Sequence, residues 1–324
     1  MSLTARLTIS GPESTDPEDF LASSLGVIFP DDVTNQHGDA NQGLVYTSPH
    51  LPQPLPITLA NPSSYDDRQL FSHYLWNSSL LLAELVEAGT LRLQQEQEQE
   101  QEQEQEQEAA GDASIALPAS AFDITNLSTI ELGAGSALPS LLSALLGARR
   151  VVATDYPAPA VIETLQHNVS VIVQPSFSPP SSARGQEVML ALETGSVEVS
   201  PHGWGDLSTP LAHDNEHAFD RVFAADCLWM PWQHDNLRRS IGWFLGDGPG
   251  ARAWVVAGFH TGRDKMREFF DEQKLAGEGL EVERIWERDC DGKDREWVWD
   301  RGVEDVTVRK RWLVVAVLRR RSML

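Results

Sequence analysis

Ser128-Thr-Ile-Glu-Leu-Gly-Ala-Gly-Ser-Ala-Leu-Pro139, followed one helix length later by Arg150-Val-Val-Ala-Thr-Asp155, decides how this chain is read. An apolar strand, a glycine-rich turn, a helix, and a second strand with an acid at its carboxyl end form the arrangement by which an open α/β sheet holds a nucleoside-bearing ligand. Gly133 and Gly135 let the backbone pass close to a ligand with no Cβ in the way. Asp155 is then placed to receive ribose hydroxyls. The third glycine of the dinucleotide pattern is absent, because Leu138 stands three residues after Gly135 with Pro139 behind it. A helix that opens this way has no close-fitting seat for a pyrophosphate. Glu131, two residues before the first glycine, repels phosphates and suits a cationic amino-acid sulfonium. The turn points to S-adenosylmethionine rather than NAD.

Composition narrows the setting. The chain has 324 residues, enough for one large domain or two small ones with a substantial core. It carries 48 acids against 25 bases, a net charge of −23. The Gln-Glu run Gln94 to Glu108 supplies seven of those glutamates, and −16 remains without them. Such a balance argues against nucleic acid as the main partner, since phosphate binding needs clustered Lys and Arg. An acidic surface favours cationic partners, basic proteins among them, and equally serves plain solubility. Two cysteines, Cys227 and Cys290, are too few for a zinc site or a disulfide framework. With no secretory start and no apolar run long enough to span a membrane, the expectation is a cytoplasmic protein, the nucleus remaining open, with no membrane partner.

Residues 1–65 are expected to form an arm, irregular to about residue 42, and a short hairpin of Leu44–Thr47 with Pro56–Leu59; residues 66–324 form the main domain. A helix is expected after Asp66-Asp67, with Leu70, Tyr74, Leu75, Leu81, Leu82, Leu85 and Val86 on its apolar face, Trp76 and Asn77 inside it, and Gly89 at its end. The low-complexity tract 94–108 is an insertion that cannot build a core. From Leu127 the pattern alternates. Strands are expected at Thr129–Leu132, Val151–Thr154, Val197–Ser200, Arg221–Ala225, Ala253–Gly258, Leu280–Trp286 and Trp312–Leu318. Helices are expected at Leu138–Leu146, Pro157–Val173, Pro231–Phe244 and Asp264–Lys274, with a Ser/Pro loop over Gln174–Gly185. This predicts a doubly wound, seven-strand α/β sheet. The last two strands are joined without a helix-sized crossover, so they run antiparallel.

The blocks Leu25-Gly-Val-Ile-Phe-Pro-Asp-Asp, Phe71-Ser-His-Tyr-Leu-Trp-Asn-Ser, Glu131-Leu-Gly-Ala-Gly, His202-Gly-Trp-Gly-Asp, Ala224-Ala-Asp-Cys-Leu-Trp-Met-Pro-Trp and Gly258-Phe-His-Thr-Gly-Arg occur in that order. Together they resemble the seven-strand S-adenosylmethionine-dependent methyltransferases of the lysine methyltransferase group. Among these, the chain resembles the fungal proteins labelled nicotinamide N-methyltransferase-like, which include an enzyme acting on the N-terminal region of translation elongation factor 1-alpha. The resemblance implies a Rossmann-like methyltransferase fold and an N-methyltransferase activity on a protein lysine or N-terminal amine, using S-adenosylmethionine and no metal. It implies that Glu131, Gly133 and Gly135 line the methionine part of the cofactor and that Asp155 binds the ribose diol. Trp204 would lie on or beside the adenine, with Asp206 near its exocyclic amine, while Trp76 contacts the cofactor from a lid helix. Ala225 and Asp226 would face the reacting centre.

Relatives that methylate proteins carry, at this last position, an acid followed three residues later by Tyr or Phe. Here the pattern reads Asp226-Cys-Leu-Trp229. Asp226 can hold an ammonium by a charge-assisted hydrogen bond while Trp229 forms a cation-π wall. Bland alternatives stand beside these readings: Trp76 and Trp204 as core aromatics, Cys227 as packing, and His260 as either an acceptor contact or a local hydrogen-bonding group. A small-molecule N-methyltransferase is the rival enzyme, and a non-catalytic binding module is the rival of another class. An open acidic cleft around residues 226–234 favours a peptide acceptor, whereas a closed apolar pocket favours a small heteroaromatic one.

Overall fold

The computed structural model describes residues 2–10, 34–38, 43–91, 115–179 and 196–322. The Leu25–Asp32 block, the Gln-Glu tract and much of the Ser/Pro loop lie outside these residues. Thirteen strands are described. Before the glycine turn come β1 (Leu7–Ser10), β2 (Gln36–His37), β3 (Gly43–Tyr46), β4 (Leu55–Ile57) and β5 (Leu75–Trp76). The main sheet is built from β6 (Ser128–Leu132), β7 (Arg150–Asp155), β8 (Val197–Pro201), β9 (Arg221–Ala225), β10 (Arg252–Gly258), β11 (Leu280–Asp289), β12 (Asp294–Glu296) and β13 (Trp312–Arg320). All seven strands expected from the sequence are present. β12 joins as an eighth, at the edge.

The sheet order is β12-β11-β13-β10-β9-β6-β7-β8. From β8 to β10 the neighbours are parallel, and β13 is antiparallel to both β10 and β11. The central strands β6, β7, β9, β10 and β13 bury both faces, as a doubly wound sheet requires, while β8 and β12 at the edges do not. Along β10, Trp254 and Val256 join one apolar cluster with the helices Leu138–Leu145 and Pro159–Ile172, while Ala253, Val255 and Ala257 join a second with the helix His234–Phe244. Chain order runs outward from β6 in both directions, through β7 to β8 and through β9 to β10. The ends of β6 and β9 therefore flank the switch point, where an open sheet leaves a crevice for ligand.

Three expectations change. The start of the chain is not an irregular arm: Leu3–Arg6 forms a 3-10 turn, and β1 pairs antiparallel with β3 as a third strand of the β3–β4 hairpin. Arg6 anchors this unit through an ion pair of 2.7 Å with the fully buried Glu87. The long helix from Asp66 is split. A four-residue helix, Tyr65–Arg68, capped by Ser64, gives way to Phe71 at φ +55°, then β5 pairs with β2, and the helix proper runs over 77–91. Trp76 lies in a strand, and Gly89 lies inside the helix, close against the 3-10 turn Ala119–Phe122, where a Cβ would collide with Ala119 O. The Asp264–Lys274 helix is likewise broken, into Arg263–Arg267, the 3-10 turn Glu268–Phe270, and Glu272–Gly277, which Asp271 caps.

Candidate active site

The turn after β6 bends back on itself through Gly133 and Gly135, at φ +73° and +56°, a region that L side chains enter only with strain. Ala137, also at positive φ, then starts the helix Leu138–Leu145. Two bonds tie the turn to the end of β7: Ala134 N–H donates to Thr154 O at 2.9 Å, and Gly135 N–H donates to Asp155 Oδ2 at 2.7 Å. Asp155 Oδ1 accepts from the Tyr156 N–H at 2.7 Å. Burial pushes the Asp155 carboxyl up to about 6 against these two stabilising bonds. Each of its oxygens keeps a lone pair for a further donor.

Beside the turn stands Trp204, on a loop that hangs from β8. His202 N–H donates to Asp155 O, and the Ser240 hydroxyl serves both His202 Nε2 and the Gly205 N–H, which fixes the loop to the helix His234–Phe244. The indole packs so tightly on the turn that a Cβ at Gly133 would lie 2.9 Å from it and 3.0 Å from Cys227 Sγ. A Cβ at Gly135 would meet nothing nearer than Ser72 O at 4.0 Å, so this glycine opens onto free space.

That space is a cleft of about 240 Å³. Gly133, Gly135, Asp155, Trp204, Ala225, Asp226, Trp229 and Trp76 all line it. Asp226 follows β9 directly and sits at φ +60°. Its N–H donates to Val256 O, its Oδ1 accepts from Ser78 Oγ and Gly258 N–H at 3.0 Å each, and its Oδ2 lies 2.9 Å from His260 Nε2. The rings of Phe71, Tyr74, Trp76 and Trp229 line the cleft along with this carboxylate. Phe71 meets Trp229 edge-on at 5.2 Å and Trp76 at 6.3 Å, while Tyr74 meets Trp76 at 6.1 Å. The left-handed Phe71 lies among these rings.

The residues fit a nucleoside cofactor with an amino-acid arm. A glycine of the turn opens onto the cleft, a carboxylate stands at the end of the neighbouring strand, and an indole forms a wall. The buried hydroxyls of Ser72 and Ser136, both residues of the cleft wall, have no hydrogen-bond partner among the described residues. Among the described residues no group of three His, Cys, Asp or Glu side chains is placed to hold a metal ion.

The chain is 26% identical over 246 residues to the protein N-terminal and lysine N-methyltransferase efm7 of Schizosaccharomyces pombe, spanning 74% of each chain. It is 29% identical over 232 residues to EFM7 of Gibberella zeae, 68% of this chain and 70% of that one. With EFM7 of Eremothecium gossypii it shares 34% over 161 residues, 48% of this chain and 55% of that one. By these matches the chain is similar to the EFM7 methyltransferases. No family model matches it. Among solved structures, the ribosomal protein L11 methylase from Lactobacillus delbrueckii superposes over 61% of this chain and 72% of its own, at a TM-score of 0.36 and 14% identity; a likeness that slight carries nothing about the site.

Two residues that the methyltransferase resemblance put on the cofactor do not line this cleft. The pleat of β6 sends Ile130 and Leu132 to one face and Glu131 to the other, beneath the helix Leu138–Leu145. There Glu131 is fully buried, and its Oε2 accepts from Ser140 N–H at 3.1 Å and Ser140 Oγ at 2.5 Å. It clasps the start of the helix instead of lining the cleft, and burial raises its carboxyl to about 8. Asp206 is exposed and caps its own turn by accepting from Ser208 N–H and Oγ, so it too is absent from the cleft wall. Cys227 is buried with its thiol held well above the ordinary value by burial, an inert packing group. Phe71, Tyr74 and Gln233 also line the cleft. Phe71 and Tyr74 lie in the quoted 71–78 block, but no periodicity announces the left-handed turn at Phe71.

Proposed function

We propose that this chain is an S-adenosylmethionine-dependent methyltransferase that methylates an amine nitrogen of a protein, a lysine or an N-terminal amine, with translation elongation factor 1-alpha as the acceptor to try first. The observation that carries the reading is the continuity of one cleft, from the Gly133–Gly135 turn and Asp155 to Asp226 and its aromatic walls. The EFM7 homologues, named for methylation of protein amines, support the acceptor class. A cytoplasmic setting accords with two buried, unpaired cysteines.

When bound, S-adenosylmethionine supplies a methyl group on a sulfonium, which a neutral amine attacks in line. The chain's contribution is orientation, worth roughly 7–11 kcal/mol in well-aligned systems. Gly135 N–H and Asp155 hold the turn in shape, and Trp204 closes its side. Asp226 holds the incoming ammonium by a charge-assisted hydrogen bond, and Trp229, Trp76 and Phe71 offer π faces to the cation. A free lysine ionises near 10.4, and partial burial in this cleft lowers that value toward the pH of reaction.

One observation favours the small-molecule reading. Around residues 226–234 the cleft is lined by Asp226, Cys227, Trp229, Met230 and Gln233, an apolar and aromatic rim with a single carboxylate. A heteroaromatic nitrogen base fits such walls. Incubating the protein with methyl-labelled cofactor and a fungal cytosolic extract separates the two: label in a protein band supports the protein acceptor, and label confined to the small-molecule fraction overturns it.

A further inference from the structure

Asp226 sits where an acceptor cation is to be held, yet it is gripped from behind by a group that can change its own charge. His260, two residues past β10, brings Nε2 to 2.9 Å from Asp226 Oδ2 and 3.2 Å from Oδ1. On the other side Ser78 Oγ and Gly258 N–H both donate to Oδ1. Oδ2 is thus the oxygen left for an acceptor, and it is the one His260 grips most closely. The imidazole is wedged in place: its ring lies 4.8 Å from that of Trp76, itself a wall of the cleft, and a Cβ on Gly258 would come within 2.6 Å of Nε2. His260 does not line the cleft, so it reaches an acceptor only through Asp226 and Trp76.

We propose that His260 is a positioning residue for methyl transfer, one that aims the Asp226 carboxylate and, by its own protonation, sets the charge with which Asp226 meets a cationic acceptor. The proposal rests on the amine-acceptor reading above. Burial opposes protonation of the imidazole, as does the guanidinium of Arg309 from the helix Val306–Lys310, while the charge and hydrogen bond of Asp226 favour it and prevail, so the group titrates above its ordinary value. Trp76 presents an uncharged ring, and Gly258 carries no side chain. With the imidazole protonated the pair is neutral overall. Once the proton leaves, the pair carries one negative charge, with Nε2–H still donating to Asp226. An ammonium is then bound more tightly. The side chain is one-fifth exposed, so its proton exchanges with solvent without passing through the cleft.

The test uses the whole chain, S-adenosylmethionine and a synthetic peptide carrying the N-terminal sequence of fungal translation elongation factor 1-alpha. In the wild type, KM for the peptide falls about tenfold as pH rises through the His260 ionisation, the size of a partly screened single-charge contact. His260→Gln keeps a donor but cannot change charge; its KM loses that step, and it restores part of the kcat lost in His260→Ala. A His260→Gln enzyme with the wild-type pH profile overturns the proposal. Imidazole NMR gives a second readout that needs no acceptor. The resonance that vanishes in His260→Gln titrates above 6.5 in the wild type and drops in Asp226→Asn. If it titrates at or below 6.5, or does not move in Asp226→Asn, the proposal fails. If wild type leaves the peptide unlabelled while this coupling is seen, the acceptor reading fails and the proton-coupled Asp226–His260 pair remains.

Discussion

The two glycines of the turn can be separated by a single methyl group each. Alanine at either position must adopt a positive φ, which costs about 1–2 kcal/mol for an L residue. At Gly133 the new Cβ also enters occupied space, 2.9 Å from the Trp204 ring and 3.0 Å from Cys227 Sγ, both packed side chains rather than flexible tips. Overpacking of this kind adds roughly 1–3 kcal/mol. Gly133→Ala therefore loses about 2–5 kcal/mol of stability. At Gly135 the Cβ meets only Ser72 O at 4.0 Å, so the ligand-free protein bears the backbone strain alone. That methyl instead occupies the space over which a cofactor must pass. The same roughly 1–3 kcal/mol of overpacking then appears in binding, weakening S-adenosylhomocysteine by about 5- to 150-fold. Thermal unfolding, in which 1 kcal/mol shifts the midpoint about 2–4 °C in a domain of this size, and isothermal titration together separate the two effects. A Gly135→Ala protein that binds S-adenosylhomocysteine as tightly as wild type refutes the reasoning. So does a Gly133→Ala protein of undiminished stability, which removes the Trp204 contact from the account.

Asp226→Asn keeps the shape of the carboxylate and its place beside Ser78 but removes the charge; it binds S-adenosylhomocysteine within about threefold of wild type, while kcat/KM falls at least about 100-fold, as loss of a charged hydrogen bond at a reacting centre implies. The buried acids give stability a defined sign with pH: Glu131 and Asp155 hold their protons in the folded state to about 8 and about 6, while the unfolded chain releases them above about 4. Stability from these acids is full below the unfolded values and is lost as pH rises through the folded ones; above the ordinary histidine range, where the buried imidazoles no longer oppose it, urea melts of the ligand-free protein weaken from pH 7 to pH 8, and Glu131→Gln shows a shallower decline than wild type. Arg263 makes two hydrogen bonds to the fully buried Glu287 and two more to Glu304. Because Arg295 and Arg301 also reach Glu287, Arg263→Ala sits at the low end of the usual cost of breaking a buried pair, about 3 kcal/mol, measured by urea unfolding.

Most of the sheet was legible because its central strands are apolar on both faces, β8 and β11 alternate apolar with polar residues, and turn residues separate them, so their bounds moved by only a few positions. What escaped depends on partners distant in sequence. Leu75 and Trp76 carry helical spacing with Leu81 and Leu82, yet they pair with Gln36 and His37, and the chain reverses at Phe71 before reaching them. Leu7–Ser10 is too polar to announce itself as a strand until β3 is beside it. β12 is three charged residues long, and only its register with Trp286–Arg288 makes it a strand. At the site, the strand-end position pointed to Asp155, the methyltransferase resemblance pointed to Trp204, Asp226 and Trp229, and all four line one cleft. Glu131 was misplaced because a motif states spacing and the pleat decides the face. Asp206 was misplaced because a short acid beside a serine satisfies itself locally.

Isothermal titration of S-adenosylhomocysteine tests the central claim most directly. The wild-type chain is expected to bind it at a single site, and Asp155→Ala to weaken that binding by about 10- to 100-fold, the worth of one or two charge-assisted hydrogen bonds. No binding to the wild type, or equal binding to both proteins, contradicts it.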